Sequence, residues 1–280
     1  MISSVVVSDT PVQGAPFLLS SGDLYGDLRR VKEVGFQGVE LQTADPERYG
    51  KPLLEACRDM GLQITSLASG LACREGLCLT ALDETIRRKT VDRLKGFIRF
   101  AGACGAGSVV HIGLIRGWIS KCGSQAQYLD MLVGGMRELA EYAGERGVML
   151  AVEPLNHRDS DGLNTWAETA EFLVQLAHPA VKISADLYHM RMEEPDMLLA
   201  LRTYASQIGI VQLMDDNRWY PGAGLLRFER IIPAILEGGY DGPVVIECLP
   251  LPDAQTAMTC AMDFYHTMLE GKKTHGYLKD

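Results

Sequence analysis

Short apolar segments alternate with amphipathic segments along the whole chain, and this alternation constrains the fold more than any other feature. Eight of the short segments are rich in Val, Ile and Leu, as expected for parallel strands that are buried on both faces. The predicted strands are Val5–Ser8, Gly38–Gln42, Gln63–Leu67, Ser108–Ile112, Val148–Glu153, Val181–Ala185, Ile208–Leu213 and Pro243–Glu247.

A helical pattern follows nearly every predicted strand. Several of these helices end at a glycine that precedes the next strand, such as Gly35, Gly61 and Gly147, which is a common helix stop. The predicted helices are Leu24–Val34, Pro46–Met60, Thr85–Cys104, Gln127–Arg146, Thr165–Ala177, Asp196–Ser206, Phe228–Glu237 and Ala254–Leu269.

Eight strand–helix units predict a parallel (β/α)8 TIM barrel. The chain has 280 residues, which suits a barrel because this fold needs about 250. An open, doubly wound sheet is the alternative, but the segment Ser8–Pro11 after the first strand is not a glycine-rich phosphate loop. We expect a single domain over residues 1–280, with a flexible tail at 271–280.

Composition and charge narrow the class of partner. The formal net charge is −9, so electrostatics disfavour nucleic acid. The seven cysteines form no CxxC pair and are expected to be reduced thiols. No stretch approaches the roughly 18 apolar residues of a membrane helix. We therefore expect a cytoplasmic protein that acts on a small molecule and binds neither nucleic acid nor membrane.

Four consecutive strands place an oxygen-bearing side chain at or near their carboxyl ends: Glu153, Asp186, Gln212 and Glu247. Reactive residues of a parallel barrel collect at this end. Any one of these carboxylates could simply cap a backbone group or pair with an arginine. Together they indicate a cation site, since three carboxylates cannot all ionise side by side without one. Oxygen ligands favour Mn²⁺, with Mg²⁺ and Co²⁺ as alternatives.

Further polar residues lie close to these ligands in the sequence. Asp159 lies on the segment after Glu153, His189 is expected on the loop leaving the sixth strand, and Arg218 follows Gln212. All three are candidates for binding the substrate. His111, inside the fourth strand, is interpreted as a core or supporting residue.

At these residues the sequence resembles the xylose isomerase-like TIM-barrel superfamily, and within it the ketose and ketouronate 3-epimerases. The resemblance spans essentially the whole chain. The matching segments are Glu153–Asn156 with Leu163–Thr165, Ala185–Met190 with Glu193–Glu194, Asp216–Arg218 with Pro221–Gly224, and Gly239–Gly242 leading to Glu247.

The resemblance implies that Glu153, Asp186 and Glu247 bind the metal and that the strand-seven position supplies the fourth ligand. Ketose 3-epimerases usually have histidine at that position, whereas this chain has Gln212. Hydroxypyruvate isomerases of the same superfamily are similar in having glutamine there. A glutamine carbonyl is still a hard oxygen donor that suits the same cations.

Two segments, Ile112–Gly117 and Glu247–Pro252, resemble the 5-keto-L-gluconate/D-tagaturonate epimerase branch, which handles acid sugars. Arg116 would then bind a substrate carboxylate, because a guanidinium matches a carboxylate with two parallel hydrogen bonds. The alternative, that Arg116 is only a surface residue of a loop, stays open at this point.

The resemblance implies an isomerase that uses Glu153 and Glu247 for proton transfer through a metal-stabilised enediolate. A 3-epimerase of a ketose or ketouronate is the first choice. The alternatives are an aldose–ketose isomerase similar to hydroxypyruvate isomerase, a lyase similar to inosose dehydratase, and a non-catalytic sugar-binding barrel. The substrate is expected to be an unphosphorylated sugar or sugar acid, and the assembly a homodimer or homotetramer.

Overall fold

The computed structural model describes residues 1–105 and 107–271, in which eight parallel strands close into a barrel in sequence order. The first strand also pairs with the last, at Ser3 and Val244, which completes the closure. The predicted fold is therefore confirmed. The strands are β1 Ser3–Ser8, β2 Gly38–Gln42, β3 Gln63–Ala68, β4 Val109–Ile112, β5 Met149–Val152, β6 Val181–Asp186, β7 Ile208–Leu213 and β8 Val244–Ile246.

The strand bounds agree with the sequence prediction to within one or two residues. β5 and β8 end one residue earlier than predicted, so Glu153 and Glu247 lie immediately beyond their strands. Asp186 is instead the last residue of β6. The predicted tail at 271–280 lies, apart from Gly271, outside the described residues.

The helices surround the barrel, and in the described part of the chain none is long and apolar enough to cross a membrane. Their bounds are α1 Leu24–Val34, α2 Gly50–Met60, α3 Glu84–Cys104, α4 Gln125–Gly144, α5 Trp166–Leu176, α6 Leu187–Glu193, α7 Met197–Thr203, α8 Phe228–Glu237 and α9 Ala254–Met268.

Two helical segments differ from the prediction. The segment predicted as one helix from Pro46 divides into a short 3-10 turn, Pro46–Arg48, and α2, because Gly50 has a positive φ of 52°. Helix α6 was predicted as a loop. It begins directly after β6 because the Asp186 side chain accepts a hydrogen bond from the His189 N–H and caps the helix.

The core has two parts, which follow from the alternation of side chains along each strand. Val6, Val109, Ala151, Ile210 and Val245 form a separate cluster of buried side chains. These residues come from five strands around the closed barrel, so they meet in its interior. The strand residues between them, together with the apolar faces of the helices, form the larger cluster outside the barrel wall.

We expect Leu94→Ala to destabilise the fold and Leu199→Ala to leave it nearly unchanged. Leu94 of α3 is fully buried, whereas Leu199 of α7 is 62% exposed. Truncating a buried leucine to alanine lowers the free energy of unfolding by about 2–5 kcal/mol, whereas a surface substitution changes it by about 0.5 kcal/mol or less. Urea-induced unfolding of both variants measures the difference. Equal midpoints would contradict this packing of α3 against the barrel.

Candidate active site

A cavity of about 390 Å³ opens at the carboxyl ends of the strands, where barrel enzymes hold their active sites. Six of the predicted site residues line it, namely Glu153, Asp159, His189, Gln212, Arg218 and Glu247. Asp186 is buried beside it, and one oxygen of its carboxylate lies within 4.8 Å of ligand atoms of Glu153 and His189. Closure of the barrel thus brings together residues that are almost a hundred positions apart.

Two buried carboxylate oxygens in this cluster have no hydrogen-bond partner among the described residues. They are Oδ2 of Asp186 and Oε2 of Glu247. A buried acceptor without a partner is costly, and native structures contain few of them. A divalent cation would satisfy both oxygens. Glu153 and Asp186 also have candidate ligand atoms within 4.8 Å of each other and of a ring nitrogen of His189, so the carboxylates at this place fit a divalent metal.

The electrostatics of the two glutamates point to the same conclusion. Burial raises the pKa of Glu153, and the nearby Asp186 raises it further. Burial also raises the pKa of Glu247 well above its ordinary value, with Asp186 adding to the effect and Arg218 opposing it. In the absence of a cation, desolvation and repulsion from the neighbouring carboxylates therefore make ionisation of both glutamates less favourable than in water.

Gln212 is held in one orientation by the residues behind it. Its Nε2 donates to Oε1 of Glu40 at 3.0 Å, and its Oε1 accepts a hydrogen bond from Ser184 Oγ at 3.1 Å. An ionised Glu40 can only accept, so the amide nitrogen faces it. The Gln212 carbonyl oxygen has two lone pairs, and Ser184 uses one. The other is available for a ligand.

Glu40 pairs with His111, a residue that lines the cavity, and both are buried. His111 Nε2 lies 2.6 Å from Glu40 Oε2, which also accepts a hydrogen bond from Ser66 Oγ at 2.7 Å. Burial alone would lower the pKa of His111, but the Glu40 carboxylate outweighs it and raises the pKa above its ordinary value. His111 thus supports the site, as expected. Glu40 was missed, although a charged residue within the apolar strand β2 was a signal.

The hydrogen bonds around His189 determine which ring nitrogen carries the hydrogen. Asn156 donates to His189 Nδ1 from its backbone N–H, and its Nδ2 lies 2.7 Å from the same atom. The Asn156 amide cannot be reversed, because its Oδ1 accepts from Arg158 N–H and its Nδ2 donates to Asp159. Nδ1 therefore accepts and Nε2 carries the hydrogen. Nε2, 3.7 Å from Glu153 Oε1, is a donor rather than a metal ligand in this arrangement.

Arg218 is placed by a tightly bonded loop after β7. The buried carboxylate of Asp215 accepts hydrogen bonds from three backbone N–H groups of this loop. Arg218 itself has a positive φ of 62°, an unusual conformation that places its guanidinium 4.5 Å from the centre of the Tyr188 ring. Burial lowers the pKa of Arg218, but Glu247 and other carboxylates outweigh this and raise it, so the group stays charged. Its Nε is buried without a partner among the described residues, so this donor is available to a ligand.

Arg116 has a different place from the one expected. Its side chain is fully buried and does not line the cavity. Its Nε, Nη1 and Nη2 donate to the backbone carbonyls of Gly113, Gly162 and Glu153. The guanidinium therefore ties the loop after β4 to the segment after β5. Neither the carboxylate-binding role nor the surface position considered for Arg116 agrees with this geometry.

Gly113, in the same loop, makes room for Glu153. A Cβ atom at Gly113 would overlap the Oε2 atom of Glu153, so any larger residue there would displace the carboxylate. Sequence reasoning missed this glycine because its role depends on a residue forty positions later.

A closed (β/α)8 barrel with carboxylates beside a cavity at its carboxyl end is the arrangement typical of barrel enzymes. The chain belongs to the xylose isomerase-like TIM-barrel family, whose model matches residues 28–267. This confirms the family predicted from the sequence motifs.

The chain is similar to proteins named as carbohydrate epimerases. The 3-dehydro-D-guloside 4-epimerase of Escherichia coli (strain K12) is 27% identical over 228 residues, covering 79% of this chain and 85% of that protein. The ketose 3-epimerase of Arthrobacter globiformis is 25% identical over 223 residues, covering 79% and 75%. Epimerases are isomerases, so these relatives agree with the predicted enzyme class and support a sugar epimerase.

Solved structures show the same fold. The crystal structure of D-psicose 3-epimerase with D-tagatose from Clostridium cellulolyticum H10 has a TM-score of 0.80 and 21% identity, covering 96% of this chain and 99% of that one. The structure of 3-keto-D-glucoside 4-epimerase from E. coli has a TM-score of 0.79 at the same identity, covering 94% and 98%.

Binding of a divalent cation is expected to release protons and to weaken as the pH falls. The pKa values of Glu153 and Glu247 are raised above the ordinary value of 4.5, so in the metal-free protein protons compete with the cation for these carboxylates at and above that pH. Calorimetric titration with Mn²⁺ in two buffers of different ionisation enthalpy measures the proton release. An affinity that does not change between pH 5 and pH 8 would contradict the raised pKa values.

Arg116→Lys is expected to reduce stability rather than substrate affinity. One ammonium cannot replace three guanidinium donors, and a lost hydrogen bond to a charged group costs about 1.5–3 kcal/mol. Thermal unfolding measures the loss, with Arg58→Lys on the exposed face of α2 as the control. A variant with unchanged stability but a higher KM for an acid sugar would restore the substrate-binding role.

Proposed function

We propose that this protein is a divalent-metal-dependent sugar epimerase that inverts the carbon next to the carbonyl of a ketose or ketouronate, as a 3-epimerase does. The observation that carries the proposal is a pair of glutamates that line one cavity, the half-buried Glu153 and the buried Glu247. They follow β5 and β8, three strands apart in the closed barrel, so they approach a bound sugar from different directions.

The proposed cation ligands are Glu153, Asp186, Gln212 and Glu247. All four are oxygen donors, which favours Mn²⁺ over a cation that needs nitrogen or sulfur ligands, with Mg²⁺ and Co²⁺ as alternatives. The two carboxylate oxygens without partners and the free lone pair of Gln212 support this set. When bound, the cation supplies Lewis acidity, which polarises the carbonyl and stabilises negative charge that develops on oxygen.

The protein groups have distinct tasks in this proposal. One of Glu153 and Glu247 removes the proton from the carbon beside the carbonyl, and the other returns a proton to the opposite face. His189 donates a hydrogen bond to a substrate oxygen from Nε2, in the tautomer set by Asn156. Arg218 donates from its unpartnered Nε, and Asp159 accepts from a substrate hydroxyl.

An epimerase is favoured over the other candidate activities by the relatives, which are named epimerases and match most of the chain. An aldose–ketose isomerase is the second candidate, because Gln212 stands at a position where the sequence resembles hydroxypyruvate isomerases. The two reactions differ in which carbon receives the proton, so the product distinguishes them.

We expect proton exchange at the carbon beside the carbonyl when Mn²⁺-loaded protein is incubated with ketoses and ketouronates in D₂O. NMR would then find deuterium at that carbon together with the epimer. Glu153→Gln and Glu247→Gln should each reduce the rate about a hundred- to ten-thousandfold, because general acid–base catalysis contributes about that factor.

Glu33→Gln, at an exposed position of α1, is the control and should keep full activity. Chelation should abolish exchange, and added Mn²⁺ should restore it. Deuterium that enters with formation of an aldose would favour the isomerase, and loss of water would favour a dehydratase. An absence of exchange on every ketose, with the cation bound, would overturn the epimerase and favour a sugar-binding role.

A further inference from the structure

The charges that line the cavity are unevenly distributed. The carboxylates proposed as cation ligands lie at the carboxyl ends of β5, β6 and β8, on one side of the closed barrel. Arg218 follows β7 on the same side, beside Glu247. The opposite side of the cavity is formed by the segments after β1 to β4 and is largely apolar, with Phe17, Leu71 and Leu114 among its residues. One charged side chain, Arg74, lines this opposite side.

Arg74 lies in a 3-10 turn, Gly70–Glu75, that follows β3. In a closed barrel of eight strands, β3 lies four strands from β7, which is directly across the opening. Arg74 therefore faces the cavity from the side opposite Arg218. A ligand with its carbonyl end at the carboxylate cluster would extend toward Arg74.

Arg74 is an exposed residue, and within residues 1–105 and 107–271 its guanidinium has no ion pair or hydrogen bond. Its neighbour Glu75 is not available to it, because Glu75 Oε2 lies 2.7 Å from Arg93 Nη1. Asp159, the acid that lines the cavity after β5, is held by Asn156 Nδ2 at 2.7 Å. The cavity thus contains a cation with unused donors at the end distant from the proposed metal.

We propose that Arg74 binds a carboxylate at the far end of the substrate, so that the preferred substrate is a ketouronate rather than a neutral ketose. A guanidinium presents two parallel N–H donors that match the two oxygens of a carboxylate. A phosphate monoester would leave an oxygen and a negative charge without a partner, and no lysine lines the described cavity. The inference rests on the proposed function for the orientation of the sugar.

Arg74 takes the role for which the sequence had suggested Arg116. Both arginines follow strands on the same side of the barrel, but the donors of Arg116 are used by three backbone carbonyls. Arg74 lines the cavity, and its donors have no partner among the described residues. The exposed position gives Arg74 a role in specificity rather than in the proton transfer itself.

The test compares sugars that differ only at the end distant from the carbonyl. D-Tagatose and D-tagaturonate form one pair, and D-fructose and D-fructuronate form the other, with fructose 6-phosphate as the phosphorylated analogue. Calorimetric titration of the Mn²⁺-loaded protein gives an apparent Kd for each sugar. Because this is an equilibrium measurement, it is defined whether or not the protein interconverts the epimers.

We expect the Kd of the wild-type protein for each ketouronate to be about tenfold or more lower than for the corresponding neutral ketose, because a hydrogen-bonded ion pair increases affinity by about this factor. Arg74→Ala should remove this preference without weakening the neutral ketoses, and Arg74→Lys should restore part of it. In turnover, Arg74→Ala should raise KM for the ketouronate and leave kcat nearly unchanged. Arg58→Ala, at an exposed arginine of α2, is the matched control and should change nothing.

A preference for ketouronates that survives in Arg74→Ala, or equal binding of acid and neutral sugars by the wild-type protein, would overturn the inference. Tighter, Arg74-dependent binding of fructose 6-phosphate would assign the residue to a phosphate instead. If no sugar is epimerised but the ketouronates still bind through Arg74, the proposed activity fails while the specificity stands. The two failures are therefore distinguishable.

Discussion

Repulsion among Glu153, Asp186 and Glu247 is the constraint around which the site is organised. The closed barrel places all three at the ends of their strands, with Asp186 and Glu247 buried and Glu153 half-buried at the cavity. Two of their oxygens have no partner among the described residues, and burial raises the pKa of both glutamates. Such a cluster is stabilised either by protonation or by a bound cation. The oxygens without partners among the described residues, and the second lone pair of the Gln212 carbonyl, favour a cation.

The residues behind the cluster hold it in a defined geometry. Glu40 aligns Gln212 by accepting its amide hydrogen, and His111 and Ser66 satisfy Glu40 in turn. This network is buried, and in a low-dielectric interior fully satisfied hydrogen bonds are strong. It extends the polar region from the cavity into the buried part of the barrel. The proposed ligands are therefore supported by a second set of polar residues, as metal sites generally require.

Three arginines near the cavity have three different environments, and the environment decides the role of each. Arg116 is fully used by backbone carbonyls and stabilises two loops. Arg218 lies over Tyr188 with one unused donor, close to the proposed reaction centre. Arg74 is exposed across the cavity with its donors free. Hydrogen-bond partners and burial separate these residues, although their side chains are chemically identical.

The sequence by itself determined the barrel, because eight apolar segments alternating with amphipathic helices leave few other folds. It also determined the carboxylates at the strand ends, because their position follows from strand order alone. Tertiary structure decided the rest. Helix α6 begins where it does because the Asp186 side chain caps it. The ring nitrogen of His189 that carries the hydrogen is set by the Asn156 N–H, which donates to Nδ1. Arg116 and Arg74 differ in role because backbone carbonyls lie within hydrogen-bond distance of the Arg116 guanidinium. These contacts join residues far apart in the chain, and local periodicity carries no information about them.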